Sequence, residues 1–402
     1  MIAHGLSYVK ALSKSRPRPS AVIKQMRPRL GGGCHTQAVE AKLRYNCTTV
    51  MITRRKARKV KIGDVFLGSD FPVAIQSMTQ TRTENVAATI AQILEAEKEG
   101  CDMMRVAVPH LEAAWALKEI KKKIHMPLIA DIHFDYRLAL EAIKSGADKI
   151  RINPGNIGSK EKVLEIIKLA KKYKIAIRIG VNAGSLEQEL MEKHGGPTAK
   201  ALVESALNWI KFFEKHKFTN IVLSVKSSDV LDCVEAYKLL AKKCDYPLHL
   251  GITEAGIPPY AAIKSAVGLG ALLLEGIGDT VRVSMSAPVA EQIQATKHVL
   301  KSLHLYNKEP EIIACPTCGR KQIDVEKLAR KLEPELMKIK RPLKVAILGC
   351  TVNVVGESMG ADYAICGGGK GKCAIFRKGK ILKWVTEKNI VGEIIKITKS
   401  TK

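Results

Sequence analysis

The sequence lacks several features that mark specialised classes of protein. It has no apolar run approaching the roughly 20 residues that a membrane-spanning helix needs, which excludes a transmembrane role. Aromatic residues make up only 5% of the chain, and no basic stretch alternates with aromatic side chains, so binding of single-stranded nucleic acid has no support. The ten cysteines are scattered, unlike the dense framework of small secreted domains, which favours reduced thiols and a cytoplasmic protein.

Acidic residues are scarce relative to basic ones. The 66 Lys and Arg residues outnumber the 39 Asp and Glu residues, and the formal net charge is +27. This charge is compatible with a nucleic acid, an anionic membrane surface, a phosphorylated metabolite or an acidic protein partner. Many lysines lie on predicted helices, as in KEIKKKIH, where they form a solvated face. The net charge therefore selects no partner by itself.

The length of 402 residues allows one large domain and a smaller one. Residues 1–50 contain nine Lys and Arg but a single acid, Glu40, and we expect a disordered basic tail there. This segment is either an organelle transit peptide or upstream sequence ahead of a true start at Met51, and the patterned sequence that begins at Met51 favours the second explanation. The rest of the chain is predicted to form a barrel domain at 51–303 and a smaller domain at 304–402.

Short β-branched runs alternate with longer helical patterns from residue 60 to about 300, which predicts parallel strands joined by helices. Eight is the number of strands that closes a (β/α)8 TIM barrel. The predicted strands are PVAIQSM (72–78), MMRVAV (103–108), LIADIHF (128–134), KIRIN (149–153), AIRIGVN (176–182), NIVLSVK (220–226), LHLGITEAG (248–256) and TVRVSM (280–285).

Polar side chains gather at the carboxyl ends of these strands, where the active sites of such barrels lie. Several are spaced two or four residues apart, so both side chains of a pair point to one face of the strand. The pairs are Asp131 with His133, Arg151 with Asn153, Arg178 with Asn182, and Arg282 with Ser284, while Arg105, Lys226 and Glu254 occupy corresponding places on three other strands.

This set of side chains carries an excess of positive charge. Any one of the arginines could belong to a buried ion pair that braces the barrel. Four Arg and one Lys against two acids, Asp131 and Glu254, leave a surplus that is costly to confine unless an anion is bound. Guanidinium groups suit phosphate oxygens, which predicts a phosphorylated or diphosphorylated small molecule as the ligand.

The pattern changes after residue 300 to a compact α/β domain that contains the motif CPTCGR. The spacing of Cys315 and Cys318 lets both thiolates bind one metal, as in zinc ribbons and iron–sulfur proteins. A zinc ribbon needs a second such motif, and the sequence has none. Cys350 ends an apolar strand and is followed by Glu357, and three thiolates with a carboxylate suit an iron–sulfur cubane. The other cysteines that compete for the fourth ligand position are Cys366 and Cys373.

A family resemblance is carried by strings that occur in order between residues 60 and 375. They are QSMT, ADIHFDYRLAL, RINPGNIG, RIGVNAGSLE, LHLGITEAG, EGIGDTVRVS, CPTCGR and GC-x-VN-xx-GE. Together they closely resemble the 4-hydroxy-3-methylbut-2-en-1-yl diphosphate synthases of the non-mevalonate isoprenoid pathway. The resemblance covers nearly everything except the first fifty residues.

The resemblance implies a TIM barrel followed by an iron–sulfur domain, and a reductive ring opening of a cyclic diphosphate with electrons from flavodoxin or ferredoxin. It also implies a head-to-tail homodimer and a 4Fe–4S cluster held by Cys315, Cys318, Cys350 and Glu357. By the same motifs, the diphosphate would be bound by Arg105, His133, Arg151, Arg178, Lys226, Arg282 and Ser284. The reacting carbons or their hydroxyls would be lined by Asp131, Asn153, Asn182, Glu254 and Asn353.

Two departures from the family pattern bear on these expectations. Val354 and Val355 stand where the family usually has Gly-Pro, and β-branched residues resist a positive φ, which puts the loop that carries Glu357 in doubt. The large insertion that plant and some bacterial members carry between the two domains is missing, which favours a short bacterial type.

Two rival functions remain open at the level of the sequence. Lys226 at the end of a sixth barrel strand is where Schiff-base aldolases place their nucleophile, which suggests a lyase. A basic zinc-knuckle protein that binds RNA is the second rival, and it predicts zinc in the protein and salt-sensitive RNA affinity. The lyase leaves the cysteines without a role, and the RNA-binding protein leaves the strand-end arginines unexplained.

Overall fold

The computed structural model describes residues 52–153 and 155–400, so the predicted basic tail at 1–50 lies outside the described residues. Its first ten strands are β1 (Val60–Ile62), β2 (Val65–Leu67), β3 (Ala74–Met78), β4 (Met103–Ala107), β5 (Leu128–Ile132), β6 (Lys149–Ile152), β7 (Ala176–Asn182), β8 (Ile221–Lys226), β9 (His249–Leu250) and β10 (Thr280–Val281). Strands β1 and β2 form an antiparallel hairpin, and the other eight form one parallel sheet.

Nine helices connect the parallel strands and follow the last of them. They are α1 (Val86–Lys98), α2 (Leu111–Lys121), α3 (Tyr136–Lys144), α4 (Lys160–Tyr173), α5 (Gln188–His194), α6 (Ala199–Lys215), α7 (Val230–Lys243), α8 (Tyr260–Leu274) and α9 (Val289–Ser302). Several begin where a polar side chain accepts a backbone N–H of the first turn, as Asp135 and Asp229 do for α3 and α7. None of the helices in the described residues is long and apolar enough to cross a membrane.

The eight-stranded sheet closes on itself. Strand β10 pairs with β3 through Thr280 and Ala74, and a parallel bridge between Leu223 and Leu248 joins β8 to β9. Outward side chains pack beneath the helices in a large apolar core. The predicted (β/α)8 barrel is therefore confirmed, with all eight strands near their predicted positions.

The amino-terminal end of the barrel is closed by the β1–β2 hairpin. Val60, Ile62 and Leu67 of the hairpin are buried, and they form one apolar cluster with inward side chains of the barrel such as Met103 and Ile129. Because this end is sealed by apolar contacts, the carboxyl ends of the strands form the open mouth of the barrel.

A smaller α/β module follows α9, and the predicted domain boundary between residues 303 and 304 falls between α9 and its first strand. Its elements are β11 (Pro310–Ala314), α10 (Val325–Leu336), β12 (Leu343–Leu348), α11 (Val354–Gly360), β13 (Tyr363–Gly369), β14 (Lys372–Arg377), β15 (Lys380–Thr386) and α12 (Ile390–Ser400). Strands β11, β12 and β13 are parallel, and β14 and β15 continue the sheet antiparallel. One apolar cluster contains residues of α10 and α12, and a separate cluster contains Val354 of α11.

The connection between the two modules lies at the sealed end of the barrel. Glu309 accepts from Lys297 of α9 at 2.6 Å, and Lys308 lies 3.8 Å from Asp102, which directly precedes β4. Because β11 starts at Pro310, the C-terminal module begins at the end of the barrel opposite the mouth.

Candidate functional site

Three polar side chains stand side by side on neighbouring barrel strands. Asp131, Arg151 and Arg178 are Cα partners on β5, β6 and β7, so their side chains enter the barrel together. Arg151 donates from Nη1 to Asp131 Oδ1 at 3.0 Å, and Arg105 Nε lies 3.7 Å from Asp131 Oδ2. The Asp131 carboxylate therefore lies between two guanidinium groups.

His133 lies beside the same guanidinium group. Its Nε2 is 2.5 Å from Arg151 Nη1, and its Nδ1 is 3.0 Å from Nδ2 of Asn156. Asn182, with its amide oxygen turned toward the guanidinium, accepts from Arg151 Nη2 at 3.2 Å. Arg151 thus links the ends of β5, β6 and β7.

Arg178 is only 1% exposed, and its Nε and Nη1 have no hydrogen-bond partner among the described residues. Burial, followed by the charges of Arg105 and Arg151, lowers the pKa of Arg178 well below its usual range. Burial and neighbouring arginines also lower the pKa of the buried Lys226 well below its usual range. Both basic side chains are therefore confined in the barrel without a matching anion.

A methionine separates the remaining two arginines. Arg105 approaches Met78 Sδ with Nη2 at 2.9 Å, and Arg282 approaches the same sulfur with Nη1 at 3.7 Å. Arg282 also donates to Gln292 Oε1 at 3.3 Å. Burial lowers the pKa of Arg282 to about 9, which leaves its guanidinium charged at neutral pH. The sulfur offers only a weak acceptor in place of a carboxylate.

The charge of this site is strongly unbalanced. Burial raises the pKa of Asp131, but Arg105, His133 and Arg151 outweigh that effect and hold the pKa well below its usual range. One carboxylate thus faces five basic side chains in the mouth: Arg105, Arg151, Arg178, Lys226 and Arg282. Such an arrangement is suited to a small molecule with several phosphate oxygens.

Three predicted residues of the barrel lie outside this cluster of contacts. Asn153 is buried but donates to Ser185 Oγ at 2.6 Å. Ser284 is half-buried, two residues beyond Arg282. Glu254 follows β9 on an exposed turn with a φ of 44°, in the left-handed region. Their roles remain predictions.

The cysteines of CPTCGR lie at the carboxyl end of β11, next to the loop after β12. Cys315 N–H donates to Ile347 O at 2.9 Å, which fixes the motif beside the strand that leads to Cys350. Thr317 N–H donates to Cys315 Sγ at 3.3 Å, and Thr317 has a φ of 65°. The motif therefore forms a tight turn with a backbone N–H directed at sulfur.

Asn353 and Glu357 flank the start of α11 and are both exposed. Val354 and Val355 lie in the first turn of α11 and have helical backbone. Neither has a positive φ, so their β-branched side chains do not strain this loop. Val354 is buried under the sheet, whereas Val355 is 58% exposed. The two β-branched residues are therefore accommodated by starting the helix at Val354.

The donor set fits an iron–sulfur cluster in residue type, and its cysteines follow the adjacent strands β11 and β12. Cys315, Cys318 and Cys350 are free thiols, none of them fully buried. Cys366 and Cys373 are both fully buried in β13 and β14, which makes them poorer candidates for the fourth position than the exposed Glu357. Among the described residues, no three His, Cys, Asp or Glu side chains converge closely enough to form a metal site as they stand.

Several residues at the site were not predicted from the sequence. Met78, Asn156 and Gln292 all contact the predicted residues. Met78 and Asn156 stand inside the strings QSMT and RINPGNIG, so those motifs could have indicated them. Gln292 lies on α9, and its contact with Arg282 depends on the helix packing that no local pattern describes.

Comparison with known proteins gives matches over both modules. The family model described as the GcpE TIM-barrel domain matches residues 57–297, and that of the GcpE protein C-terminal domain matches residues 311–400. A protein of Clostridium perfringens named 4-hydroxy-3-methylbut-2-en-1-yl diphosphate synthase (flavodoxin) is 52% identical over 86% of this chain and 99% of its own length. A protein of the same name from Geobacillus kaustophilus is 51% identical over 86% of this chain and 92% of its own.

Solved structures give weaker matches. A dihydropteroate synthase of Xanthomonas albilineans aligns with a TM-score of 0.43 and 13% identity over 62% of this chain and 99% of its own. A 3-dehydroquinate dehydratase of Geobacillus kaustophilus aligns with a TM-score of 0.45 and 15% identity over 63% of this chain and 99% of its own. The fold is established by the strand pairing of the barrel, and the family by the two family models, so neither depends on these solved structures. The chain belongs to the GcpE family.

Proposed function

We propose that the chain catalyses the reductive ring opening of 2-C-methyl-D-erythritol 2,4-cyclodiphosphate to 4-hydroxy-3-methylbut-2-enyl diphosphate. The observation that carries this proposal is the set of five basic side chains around one carboxylate at the barrel mouth. The relatives named 4-hydroxy-3-methylbut-2-en-1-yl diphosphate synthase (flavodoxin) support the same activity. For the neutral molecules, the reaction takes up two electrons and two protons. The bond between a ring carbon and a phosphate oxygen breaks, and one hydroxyl oxygen leaves as water.

The diphosphate would bind to Arg105, His133, Arg151, Arg178, Lys226, Arg282 and Ser284. Arg178 offers two unpartnered N–H groups that are sealed from solvent, and Lys226 adds a confined positive charge. When the ring opens, the released phosphate oxygen gains negative charge while the diphosphate remains bound. Cations fixed in place by the strands stabilise that charge without reorganising, which favours the ring-opened state.

The carbon part of the substrate would lie against Asp131, Asn153, Asn182, Glu254 and Asn353. Glu254 is the candidate proton donor to the departing hydroxyl, since it is exposed at the mouth and free to approach a bound ligand. We expect Glu254→Gln to lower turnover by about 10²-fold or more while iron content and substrate affinity persist. Full turnover by that variant with an intact cluster would remove Glu254 from this role.

Cys315, Cys318 and Cys350, with Glu357, would hold a 4Fe–4S cluster. When bound, this group supplies single-electron transfer and one iron with a weak, displaceable oxygen ligand. The residues of this chain contribute the thiolates, the backbone N–H of Thr317 at Cys315, and a carboxylate on the mobile end of an exposed side chain. We propose flavodoxin or ferredoxin as the electron donor and the reducing cytoplasm as the compartment, which suits free cysteine thiols.

We further propose that a complete site combines two copies of the chain in a homodimer. The C-terminal module starts at the sealed end of the barrel, and its cysteines lie at the far end of β11, about 16 Å further along for five residues of strand. The barrel mouth lies at the other end of the barrel. A second copy, placed head to tail, would bring its cysteine ligands to the mouth.

Anaerobic turnover tests the proposed function. Protein purified without oxygen is expected to contain iron and sulfide and to convert the cyclic diphosphate to the linear one, followed by ³¹P NMR, when reduced flavodoxin is supplied. Cys350→Ser is expected to abolish conversion, and Cys244→Ser, a thiol remote from the motif on the barrel, serves as the matched control. Iron-free wild-type protein with undiminished turnover would contradict the proposal, and a carbonyl substrate trapped on Lys226 by borohydride would favour a lyase instead.

A further inference from the structure

A groove opens on the C-terminal module, away from the proposed substrate site. It has a volume of about 710 Å³ and runs between α10 and the segment that joins β15 to α12. Leu328 and Val391 contribute apolar surface to it, and Lys327, Lys331 and Lys388 line its sides. The three lysines are exposed, so the groove presents an apolar floor between positive charges.

The groove lies at the same end of the sheet as the cysteines. Strand β13 runs parallel to β12, so the turn that contains Gly371 is at the end where Cys350 follows β12, and Gly371 lines the groove. Gln322 lies between the loop of Cys350 and strand β13. Its N–H donates to Gly349 O at 2.8 Å, and it packs so closely on Gly367 that a Cβ added to that glycine would lie 2.9 Å from Gln322 Cβ. A protein bound in the groove would therefore sit beside both cysteine loops.

Two more basic residues extend this surface toward the motif. Arg320 and Lys321 directly follow Cys318 and Gly319, and both are exposed. We call Arg320, Lys321, Lys327, Lys331 and Lys388 the basic face. Within the described residues, none of the five forms an ion pair with a carboxylate. Asp324 and Glu387 also line the groove, but Asp324 is engaged in capping α10, where it accepts from Lys327 N–H at 3.0 Å.

The basic face and Glu357 belong to opposite sides of the sheet. Leu328 of α10 and Ile390 of α12 are in the apolar cluster on one side, whereas Val354 of α11 is in the cluster on the other. The side that bears α11 is the one that would cover a barrel mouth. The groove therefore lies on the side of the sheet that faces away from Glu357.

We propose that the basic face is the docking site for the acidic one-electron carrier protein that supplies this enzyme. This inference rests on the proposed function, because only a reductive reaction needs such a carrier. Lysines without counter-ions around an apolar floor suit a negatively charged protein that carries an exposed cofactor, and electrostatic steering provides fast and transient encounters. Small, weak interfaces are characteristic of electron-transfer complexes.

A charge-reversal pair tests the inference in the iron-loaded wild-type background. Lys327→Glu with Lys388→Glu is expected to weaken binding of reduced flavodoxin, measured by titration calorimetry at low ionic strength, by about tenfold or more. The flavodoxin concentration that gives half-maximal turnover should rise by a similar factor. Turnover with dithionite and methyl viologen, which need no protein docking, should stay within about twofold of the wild type.

The matched control is Lys168→Glu with Lys172→Glu on α4, where two exposed lysines are spaced on a barrel helix. Equal loss of flavodoxin binding in the control pair, or unchanged binding in the test pair, would overturn the inference. If the test pair loses iron, the milder Lys327→Gln with Lys388→Gln is measured in the same way. A wild type inactive with either reductant contradicts the proposed function, whereas a wild type that works with dithionite but does not bind flavodoxin contradicts only the docking site.

Discussion

At the scale of single residues, the barrel mouth is organised by charges that have too few partners. Arg178 is buried with two N–H groups unsatisfied among the described residues, and Asp131 is the carboxylate that its neighbours share. A buried cation without a counter-ion is unfavourable for the free protein, and binding of an anion relieves that cost. Affinity for the diphosphate is therefore linked to the protonation of the basic side chains.

Binding of inorganic pyrophosphate is expected to take up a proton at alkaline pH. Burial and then Arg178 lower the pKa of Lys226 well below its usual range, so part of the free protein holds a neutral amine, and a bound anion raises the pKa again. Binding is strongest below the lowered pKa and weakens as pH rises through it. Calorimetry in two buffers of different ionisation enthalpy measures the uptake, which Lys226→Met should remove and Lys168→Met should keep. No uptake at any pH up to about 10 would contradict this account.

A second buried lysine lies deeper in the barrel. Lys149 is 0% exposed, and its Nζ donates to Gln76 Oε1 at 3.3 Å. Burial, followed by the charges of Arg178 and Arg105, lowers its pKa well below the usual range. Because the folded pKa lies below the unfolded one, this lysine opposes folding at neutral pH, and the penalty fades as pH rises toward about 10.

Replacement of that lysine by an apolar residue is expected to stabilise the protein. Lys149→Met should raise the free energy of unfolding of the ligand-free protein by about 1–3 kcal/mol near pH 7, with less gain at about pH 10. Urea denaturation at the two pH values provides the measurement, with Lys168→Met as a surface control that should change little. A less stable Lys149→Met protein at neutral pH would show that the lysine has a stabilising partner.

At the scale of elements, alternating β-branched and helical patterns predicted the eight barrel strands, because each strand is buried and each helix is amphipathic. The β1–β2 hairpin was not predicted, since strands of three residues carry almost no periodic signal. Asp131, Arg151 and Arg178 lie side by side on neighbouring strands, an arrangement that follows from the alternation of side chains along a strand. Met78 was missed because its contact with Arg282 joins distant parts of the chain, and Gln292 because its contact with Arg282 depends on how α9 packs.

The segment between the modules is held by one carboxylate. Glu309 accepts from Lys297 at 2.6 Å and Lys301 at 2.9 Å, and Lys297 also donates to Glu99 O. Burial raises the pKa of Glu309, but its bonds to the two lysines outweigh that effect and lower the pKa. The stabilisation is therefore present above the unfolded pKa of about 4.3 and is lost as pH falls through the folded value.

Removal of this carboxylate is expected to destabilise the protein. Glu309→Gln should cost about 3 kcal/mol, because the buried Lys297 loses its counter-ion. Thermal unfolding near pH 7 measures the loss, and the exposed Glu335→Gln, which removes a surface ion pair with Lys338, is the control that should stay near the wild type. An equal effect of both substitutions would contradict a specific role for Glu309.

At the scale of the whole molecule, the proposed site draws on both modules, and we propose that a second copy of the chain completes it. The cysteine loops lie at the end of the C-terminal sheet that points away from the linker, and the linker lies at the sealed end of the barrel. The position of the C-terminal module relative to the barrel could not be predicted from motif spacing or strand periodicity, because it depends on the path of the chain after α9. Phe134 and Leu231 on the barrel and Val352 and Val355 near Glu357 are exposed apolar side chains, which suits the proposed association between copies.

Complementation between two inactive variants tests most directly whether the barrel of one copy works with the cysteines of another. Arg178→Ala removes a buried cation of the mouth, and Cys350→Ala removes a thiolate. Each is expected to be inactive alone, whereas co-expression in equal amounts should restore about a quarter of wild-type turnover, because half of the dimers then contain one intact site of two. The absence of any restored turnover in verified mixed dimers would contradict a site shared between copies.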